Sequence, residues 1–209
     1  MKNIHELKHP LITHKLTILR DKNTGTKEFR EIITEIAVLL CYEATKDAKL
    51  KKAVIETPLE KYNTYKLNED DYAFVPILRA GMSMVDGIIT VIPNAKIGHI
   101  GLYRNEETLE PVEYYYKMPK EIKKRTVMIL DPMLATGGSA LATIKKLKAD
   151  GVKRIKFLCI IAAPEGLKAI QKEYPDVEIY CASVDRKLND IGYILPGLGD
   201  AGDRVYGTK

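Results

Sequence analysis

Residues 126–144, TVMILDPMLATGGSALATI, contain the features that decide the fold. The first five, 126–130, are strand formers with no polar alternation, which predicts a strand buried on both faces. Asp131 ends that strand, and the small residues 136–139 follow as a loop. From Leu141 onward an apolar residue returns every third or fourth position, which predicts a helix. The stretch therefore predicts a strand, a small-residue loop and a helix in that order.

The chemistry of this loop suits a phosphate group. Gly137 and Gly138 allow the backbone to approach an anion and to adopt positive φ, and the N-terminus of the following helix carries partial positive charge. Thr136 and Ser139 add hydroxyl donors, while the Asp131 carboxylate is suited to accept hydrogen bonds from vicinal ribose hydroxyls. A turn alone would explain the glycine pair. The order of strand, acid, glycines, hydroxyls and helix favours a site for a ribose that carries a 5-phosphate.

Composition and patterning place the chain among ordinary globular proteins. It has 209 residues, of which 45% are hydrophobic and 29% charged, and this length predicts one α/β domain. The formal charge of +5 is spread along the chain, so we expect no nucleic-acid partner. There is no apolar segment suited to export or to a membrane span. The three cysteines, Cys41, Cys159 and Cys181, are far apart, which fits a reduced, cytoplasmic protein without a zinc ribbon.

Apolar runs and helical periodicity alternate along most of the chain. Strands are predicted at 72–78, 97–103, 126–130, 155–161 and 177–183, with helices at 82–92, 141–149 and 165–172 between them. Such alternation predicts an α/β fold with a mainly parallel sheet and helices on both faces.

The first seventy residues carry less information. Residues 1–46 are predicted to form an arm and one amphipathic helix, for which Thr26 is the expected N-cap. Residues 54–67 predict a hairpin or an edge element. Pro10 is expected to interrupt the helix that would place His5 and His9 on one face. No acid or cysteine completes a metal site with them.

Two further segments contain residues suited to ligand binding. Arg79 follows the strand 72–78, and ligands of open α/β sheets bind beyond the carboxyl ends of the strands. Its planar guanidinium is suited to bidentate phosphate binding, although a surface ion pair is the simpler explanation for a lone arginine. Residues 104–118 predict a long polar hairpin with Arg104 at its base, suited either to cover a ligand or to bind a partner.

The C-terminal segment 190–207, DIGYILPGLGDAGDRVYG, is predicted to be a helix-free, glycine-rich tail. Residues 197–202 match the pattern G-x-G-x-x-G. Only seven residues follow, which leaves no room for the helix and second strand of a dinucleotide-binding unit.

The chain resembles a known family at three of these places. LDPMLATGGSA at 130–140 resembles the phosphoribosyl pyrophosphate (PRPP) loop of type I phosphoribosyltransferases. Its amino-acid sequence is close to that of the loop in uracil phosphoribosyltransferases. ILRAGMSM at 77–84 and GYILPGLGDAGDRVYGT at 192–208 resemble the pyrophosphate loop and the C-terminal hood of the same family. The wider family has two adjacent acids where this chain has Asp131 and Pro132, which leaves one carboxylate fewer to hold a metal directly.

The resemblance implies transfer of the phosphoribosyl group of PRPP to uracil, giving UMP and pyrophosphate. It implies one domain over 1–209, with an N-terminal arm and helix at 1–46, a lid hairpin at 104–118 and a base-binding hood at 186–209. The residues implied to contact PRPP are Arg79, Arg104, Asp131, Pro132, Met133, Leu134, Ala135, Thr136, Gly137, Gly138, Ser139 and Asp200. Those implied to contact uracil are Ile194, Gly199, Asp200 and Ala201. The implied catalytic residues are Arg104, Asp131 and Asp200.

The resemblance also implies Mg²⁺ held by PRPP and water, and GTP as an effector. The apolar face of the N-terminal helix favours a homodimer or homotetramer. Two alternatives share parts of the pattern. An RNA-binding regulator on the same fold would require a concentrated basic face, and a phosphoribosyltransferase for another base would differ in the hood.

Overall fold

A computed structural model describes residues 3–104 and 111–208, with Arg104 described by its backbone only. Its strands, in chain order, are β1 (Ile4–Glu6), β2 (Leu50–Glu56), β3 (Lys61–Leu67), β4 (Tyr72–Leu78), β5 (Lys96–Ile97), β6 (His99–Arg104), β7 (Pro111–Lys117), β8 (Thr126–Leu130), β9 (Met133–Leu134), β10 (Arg154–Ala162), β11 (Glu178–Val184), β12 (Lys187–Leu188) and β13 (Ile194–Leu195). Its α-helices are α1 (Pro10–Arg20), α2 (Thr26–Ala44), α3 (Met82–Val91), α4 (Gly138–Ala149), α5 (Pro164–Glu173) and α6 (Ala201–Tyr206). Within the described ranges, no helix has the length and apolar character needed to cross a membrane.

One nine-stranded sheet organises the molecule, and it confirms the predicted fold class. Its main path is β1-β11-β10-β8-β4-β6-β7, with β5 paired to β4 and β9 to β10. All pairings are parallel except that of β6 with β7. Strand β8 lies between β10 and β4, so its carboxyl end opens at the middle of the sheet edge. Ligands of such sheets bind at that edge.

Apolar side chains cover both faces of the sheet. All five residues of β8 are buried, as the absence of polar alternation predicted. On one face the core contains residues of α1, α2, α3 and α6, and on the other it contains residues of α4 and α5. The central strands therefore have no solvent-facing side, which fixes their ends relative to one another.

The N-terminal third holds more structure than the sequence predicted. β1 pairs with β11 in parallel, at the edge of the sheet. Pro10 does not interrupt a helix but begins α1, where its missing N–H costs nothing. The N-cap of α2 is Gly25 rather than Thr26. The predicted hairpin is present as β2 and β3, beginning four residues earlier than expected.

The prediction of a helix-free C-terminus is wrong, because residues 201–206 form α6. The Asp200 side chain caps this helix by accepting a hydrogen bond from the Asp203 N–H at 2.9 Å. Ala201 and Val205 are buried in the core. Capping and burial of one apolar face offset the low helix propensity of glycine.

Close packing of α2 on α3 gives a test of the fold. A Cβ atom on Gly87 would lie 2.3 Å from the Thr34 carbonyl oxygen. We expect Gly87→Ala to lower the free energy of unfolding by about 1–3 kcal/mol, because the two helices must move apart. Urea unfolding measures the change. Gly25→Ser is the control, since that position has nothing within 4 Å and serine is a good N-cap. Equal stability of both variants would contradict the packing argument.

Candidate active site

The loop after β8 forms the N-terminus of α4. The helix begins at Gly138, three residues earlier than predicted, and its first backbone bond runs from the Leu141 N–H to the Gly137 oxygen at 2.8 Å. The N–H groups of the preceding residues therefore have no intrahelical acceptor, as at every helix start. Together with the helix dipole they provide a place for an anion. Residues 131 and 133–140 line a concavity of about 90 Å³ here.

Glycine is required in this loop for its conformation and for its packing. Gly137 has φ of 90°, in the left-handed region. A Cβ atom on Gly137 would lie 3.3 Å from Ala169 Cβ, and one on Gly166 would lie 2.5 Å from the Ala135 oxygen. The loop thus rests directly on α5, which holds the concavity in shape.

Asp131 lies at the mouth of this concavity, at the carboxyl end of β8. Burial raises the pKa of its carboxyl group to about 7, opposed by a hydrogen bond that the Met133 N–H donates at 3.3 Å. The free protein therefore holds a carboxyl group that changes charge near neutral pH. Donors placed around it by a ligand would favour the ionised form.

Arg79 follows β4, which is the neighbour of β8 in the sheet. A cis peptide bond joins Leu78 to Arg79. Two residues later, a Cβ atom on Gly81 would lie 2.3 Å from the Leu130 carbonyl oxygen. Only glycine allows this approach, so the loop with Arg79 and the loop with Asp131 lie against each other.

The C-terminal helix α6 packs on the same loop. The Tyr206 hydroxyl donates to the Arg79 carbonyl oxygen at 2.9 Å, and the Arg79 guanidinium carbon lies 5.7 Å from the centre of the Tyr206 ring. A Cβ atom on Gly202 would lie 4.0 Å from Ala80 Cβ. The three segments singled out in the sequence are therefore brought together at one edge of the sheet.

The residues predicted to bind uracil lie in and before α6. The Gly199 carbonyl and the Ala201 N–H form no hydrogen bond with any residue that the structure describes. One oxygen of Asp200 is engaged as the helix cap. Ile194 is only 4% exposed and packs in the core, which leaves little of its side chain for a ring to contact.

The predicted hairpin is present at its base. β6 and β7 pair antiparallel from His99 opposite Lys117 to Arg104 opposite Pro111. The side chain of Arg104 and the residues between these strands, 105–110, lie outside the described part of the chain. The predicted roles of Arg104 and of the lid thus stay predictions.

Sequence reasoning missed three charged residues that hold the C-terminal segment. Arg20 forms a two-pronged ion pair with Asp185, with Arg20 Nη1 2.8 Å from Oδ2 and Nη2 2.5 Å from Oδ1. Arg204 donates to the carbonyl oxygens of Leu19 and Leu198. No local pattern signals these contacts, because the partners lie far apart in sequence; the charges themselves were the only available signal.

The acidic groups around the loop do not form a metal cage. Within residues 3–104 and 111–208, no three His, Cys, Asp or Glu side chains are grouped to hold a metal ion. Pro132 occupies the position next to Asp131, so the strand end supplies one carboxylate in place of an adjacent pair. This donor set fits a magnesium ion that keeps water and ligand oxygens, and does not fit an all-protein site.

Comparisons with solved structures agree with this fold. A hypoxanthine-guanine phosphoribosyltransferase from Bacillus anthracis superposes with a TM-score of 0.51 at 13% identity, covering 77% of this chain and 80% of its own. The AQ2163 protein from Aquifex aeolicus superposes with a TM-score of 0.93 at 47% identity, covering 99% of both chains. The fold is that of the type I phosphoribosyltransferases.

The sequence comparisons identify the family. The family model described as uracil phosphoribosyltransferase matches residues 6–208. The uracil phosphoribosyltransferase of Lysinibacillus sphaericus (strain C3-41) is 59% identical over 209 residues, which is the whole of both chains. The chain belongs to the uracil phosphoribosyltransferase family.

The raised pKa of Asp131 predicts how stability depends on pH. The folded state holds this proton more tightly than the unfolded state, since the pKa is raised from 3.8 to about 7. Protonated Asp131 therefore makes its full contribution to the free energy of unfolding below pH 4, and this contribution is lost as the pH rises to about 7. We expect Asp131→Asn to match the parent near pH 4 and to exceed it by roughly 2–4 kcal/mol above pH 7.

Urea unfolding between pH 4 and 8 measures this difference. Asp190→Asn, at an exposed position in the C-terminal segment, is the control for removing one carboxylate. Parallel stability curves for the parent and Asp131→Asn across the whole range would contradict the prediction.

Proposed function

We propose that this protein transfers the 5-phosphoribosyl group of PRPP to uracil, giving UMP and pyrophosphate in pyrimidine salvage. The observation that carries the proposal is the convergence of three segments at one sheet edge. These are the start of α4 with Asp131, the loop with Arg79, and the C-terminal segment, whose Gly199 carbonyl and Ala201 N–H bond to no residue that the structure describes. Each segment supplies one part of a site for a phosphorylated ribose, a pyrophosphate and a base.

The loop after β8 would bind the ribose 5-phosphate. Backbone N–H groups of residues 136–139 and the hydroxyls of Thr136 and Ser139 would surround its oxygens, with residues 133–135 forming the wall of the concavity next to Pro132. Asp131 would accept hydrogen bonds from the two ribose hydroxyls. These donors would favour its ionised form, so binding near neutral pH would release a proton from Asp131.

Arg79 and Arg104 would bind the pyrophosphate, for which the planar guanidinium group is suited. Mg²⁺, bound to substrate oxygens and water, would neutralise charge on the leaving pyrophosphate. Asp200, as the cap of α6, would orient a PRPP hydroxyl or a metal-bound water with the oxygen that the cap leaves free.

Uracil would be read by backbone groups of the C-terminal segment. The Gly199 carbonyl accepts only and the Ala201 N–H donates only, so the two fix an order of donor and acceptor. Cytosine would place its amino donor against a donor, and such mismatches in a closed site are strongly disfavoured. Ile194 would contribute mainly to the shape of this wall, because little of it is exposed.

The reaction replaces the bond between ribose C1 and a pyrophosphate oxygen by a bond from C1 to N1 of uracil. The bonding electrons leave with pyrophosphate, and the N1 proton is released. Positive charge develops on the ribose and negative charge on the leaving group. Catalysis by these residues is therefore mainly positioning and charge stabilisation, with ionised Asp131 beside the ribose and arginines beside the pyrophosphate.

We further propose a homodimer or homotetramer that acts in the cytoplasm and responds to GTP. The hairpin of β2 and β3 supports an oligomer, because it exposes Val54, Leu59, Tyr62 and Tyr65. The GTP effect rests on the family resemblance alone. Sedimentation of the purified protein tests the oligomeric state, and initial rates with and without GTP test the response to GTP.

A base-exchange assay tests the proposed reaction. Purified protein, PRPP, Mg²⁺ and a panel of uracil, cytosine, orotate and purines should give nucleotide only from uracil. Asp131→Asn should lose most of this activity, by about 100-fold or more, because the amide lacks the charge that offsets positive charge on the ribose. Near-normal turnover by the folded variant would refute the role of Asp131, and nucleotide from another base would refute the assignment of uracil.

Ala201→Pro tests the reading of the base directly. Ala201 is the first residue of α6, where proline fits, and Asp200 before it has φ of −85° and ψ of 114°, which a following proline allows. The variant should therefore fold and lose only the N–H donor. We expect uracil activity to fall and the discrimination between uracil and cytosine to shrink.

Ala201→Gly is the matched control, since it alters the same side chain and keeps the N–H group. If the proline variant folds and still discriminates as the parent does, the Ala201 N–H does not read the base.

A further inference from the structure

The ion pair of Arg20 and Asp185 holds both backbone polar groups of Gly197. The Gly197 N–H donates to Asp185 Oδ2 at 2.9 Å, and its carbonyl oxygen accepts from Arg20 Nη1 at 2.7 Å. The Ser183 hydroxyl donates to Asp185 Oδ1 at 2.9 Å. Arg20 ends α1 and Asp185 follows β11, so two distant elements meet at one residue of the C-terminal segment.

Arg204 provides a second point of attachment one residue further along. Its Nη1 donates to the Leu198 oxygen at 2.9 Å and to the Leu19 oxygen at 2.8 Å, and its Nη2 donates to the Asp21 oxygen at 2.6 Å. The guanidinium carbon lies 4.3 Å from the centre of the Phe29 ring. The end of α1 is therefore tied to the segment by two arginines.

These contacts leave Gly199 between fixed points. The backbone before it is held at Gly197 and Leu198, and the backbone after it is held by the capped start of α6. Gly197 has φ of 67°, and a Cβ atom there would lie 2.1 Å from the Ile194 oxygen, so the turn admits only glycine. The conformation of the Gly199 and Ala201 backbone is thus set partly by Arg20 and Asp185, which lie outside the segment, and partly by Asp200 and Arg204 within it.

The ion pair stays charged in its partly buried setting. Burial would raise the pKa of Asp185, but hydrogen bonds from Arg20 and from the Gly197 N–H outweigh it, and the pKa lies below its usual value. Hydrogen bonds between charged groups are short and directional, and they fix geometry more tightly than apolar contacts do. An apolar pair of the same size would fill the space without holding the Gly197 peptide groups.

We propose that Arg20, Asp185 and Arg204 are positioning residues that set the base-reading backbone of Gly199 and Ala201. This inference rests on the proposed function, because it assigns these residues to the uracil subsite. The PRPP loop is shaped instead by α5 and by Gly81, so no role there is proposed for Arg20, Asp185 and Arg204.

Steady-state kinetics on Arg20→Met and Lys15→Met test the proposal. Both side chains lie on α1 and are 22% exposed, and both pair with an acid, but the partner of Lys15 is Glu35 on α2, away from the C-terminal segment. We expect Arg20→Met to raise the KM for uracil by roughly 10- to 100-fold, because a small misplacement of reading groups has effects of that size. The KM for PRPP should rise much less than the KM for uracil, because Asp200 is the one residue of this backbone stretch that is also proposed to contact PRPP.

Lys15→Met should leave both KM values unchanged while lowering the melting temperature. A general loss of stability would change the uracil KM of both variants alike. Equal uracil KM values in Arg20→Met and Lys15→Met would therefore overturn the proposal. If Arg20→Met does not fold, Arg20→Lys is compared with Lys15→Arg. Lysine keeps the positive charge but cannot form the two-pronged ion pair with Asp185. We therefore expect a raised uracil KM in Arg20→Lys and not in Lys15→Arg. A uracil KM in Arg20→Lys equal to that of the parent would overturn the proposal.

The parent enzyme separates this inference from the proposed function. A parent that forms no UMP from uracil refutes the function, and the same comparison is then made with the base that it does use. A parent active on uracil, with an unchanged uracil KM in the Arg20 variants, refutes the positioning role alone.

Discussion

The site depends on the close approach of Gly81 to the Leu130 carbonyl oxygen. A Cβ atom at Gly81 would lie 2.3 Å from that oxygen, so any other residue would separate the ends of β4 and β8. Asp131 follows one of these ends and Arg79 precedes Gly81 at the other. Because Tyr206 in turn bonds to the Arg79 carbonyl, the same contact also places the C-terminal helix. One backbone contact thus sets the spacing of all three segments.

The carboxyl group at the centre of this arrangement is held at a cost in stability. Burial raises the pKa of Asp131 to about 7, so the ionised form is disfavoured in the free protein, and the hydroxyls of the proposed ribose ligand would favour it. A group that weakens the free protein and gains its partners on binding is typical of sites where function and stability oppose each other. The glycines around it have the same character, since Gly137 adopts a conformation that other residues avoid.

The two halves of the site are held by different forces. The phosphate loop is shaped by backbone packing on α5, where Gly166 and Gly137 allow close contact. The C-terminal segment buries Ile194, Leu198, Ala201 and Val205 in the core. Its turn is held in addition by the charged side chains of Arg20, Asp185 and Arg204. This division would allow the proposed base-reading backbone to be altered through its supports while the phosphate loop is left intact.

The sequence by itself determined the strand β8, the loop with Asp131, the parallel sheet and the family, because periodicity and turn residues are local and the motifs are continuous in the chain. Only the tertiary structure decided that β1 joins the sheet edge, that a glycine-rich tail forms α6, and that Arg20 meets Asp185 across 165 positions. Such features depend on burial and on ion pairs between residues far apart in sequence. A local pattern carries no record of which distant group will bury a helix, pair with a strand or supply the opposite charge.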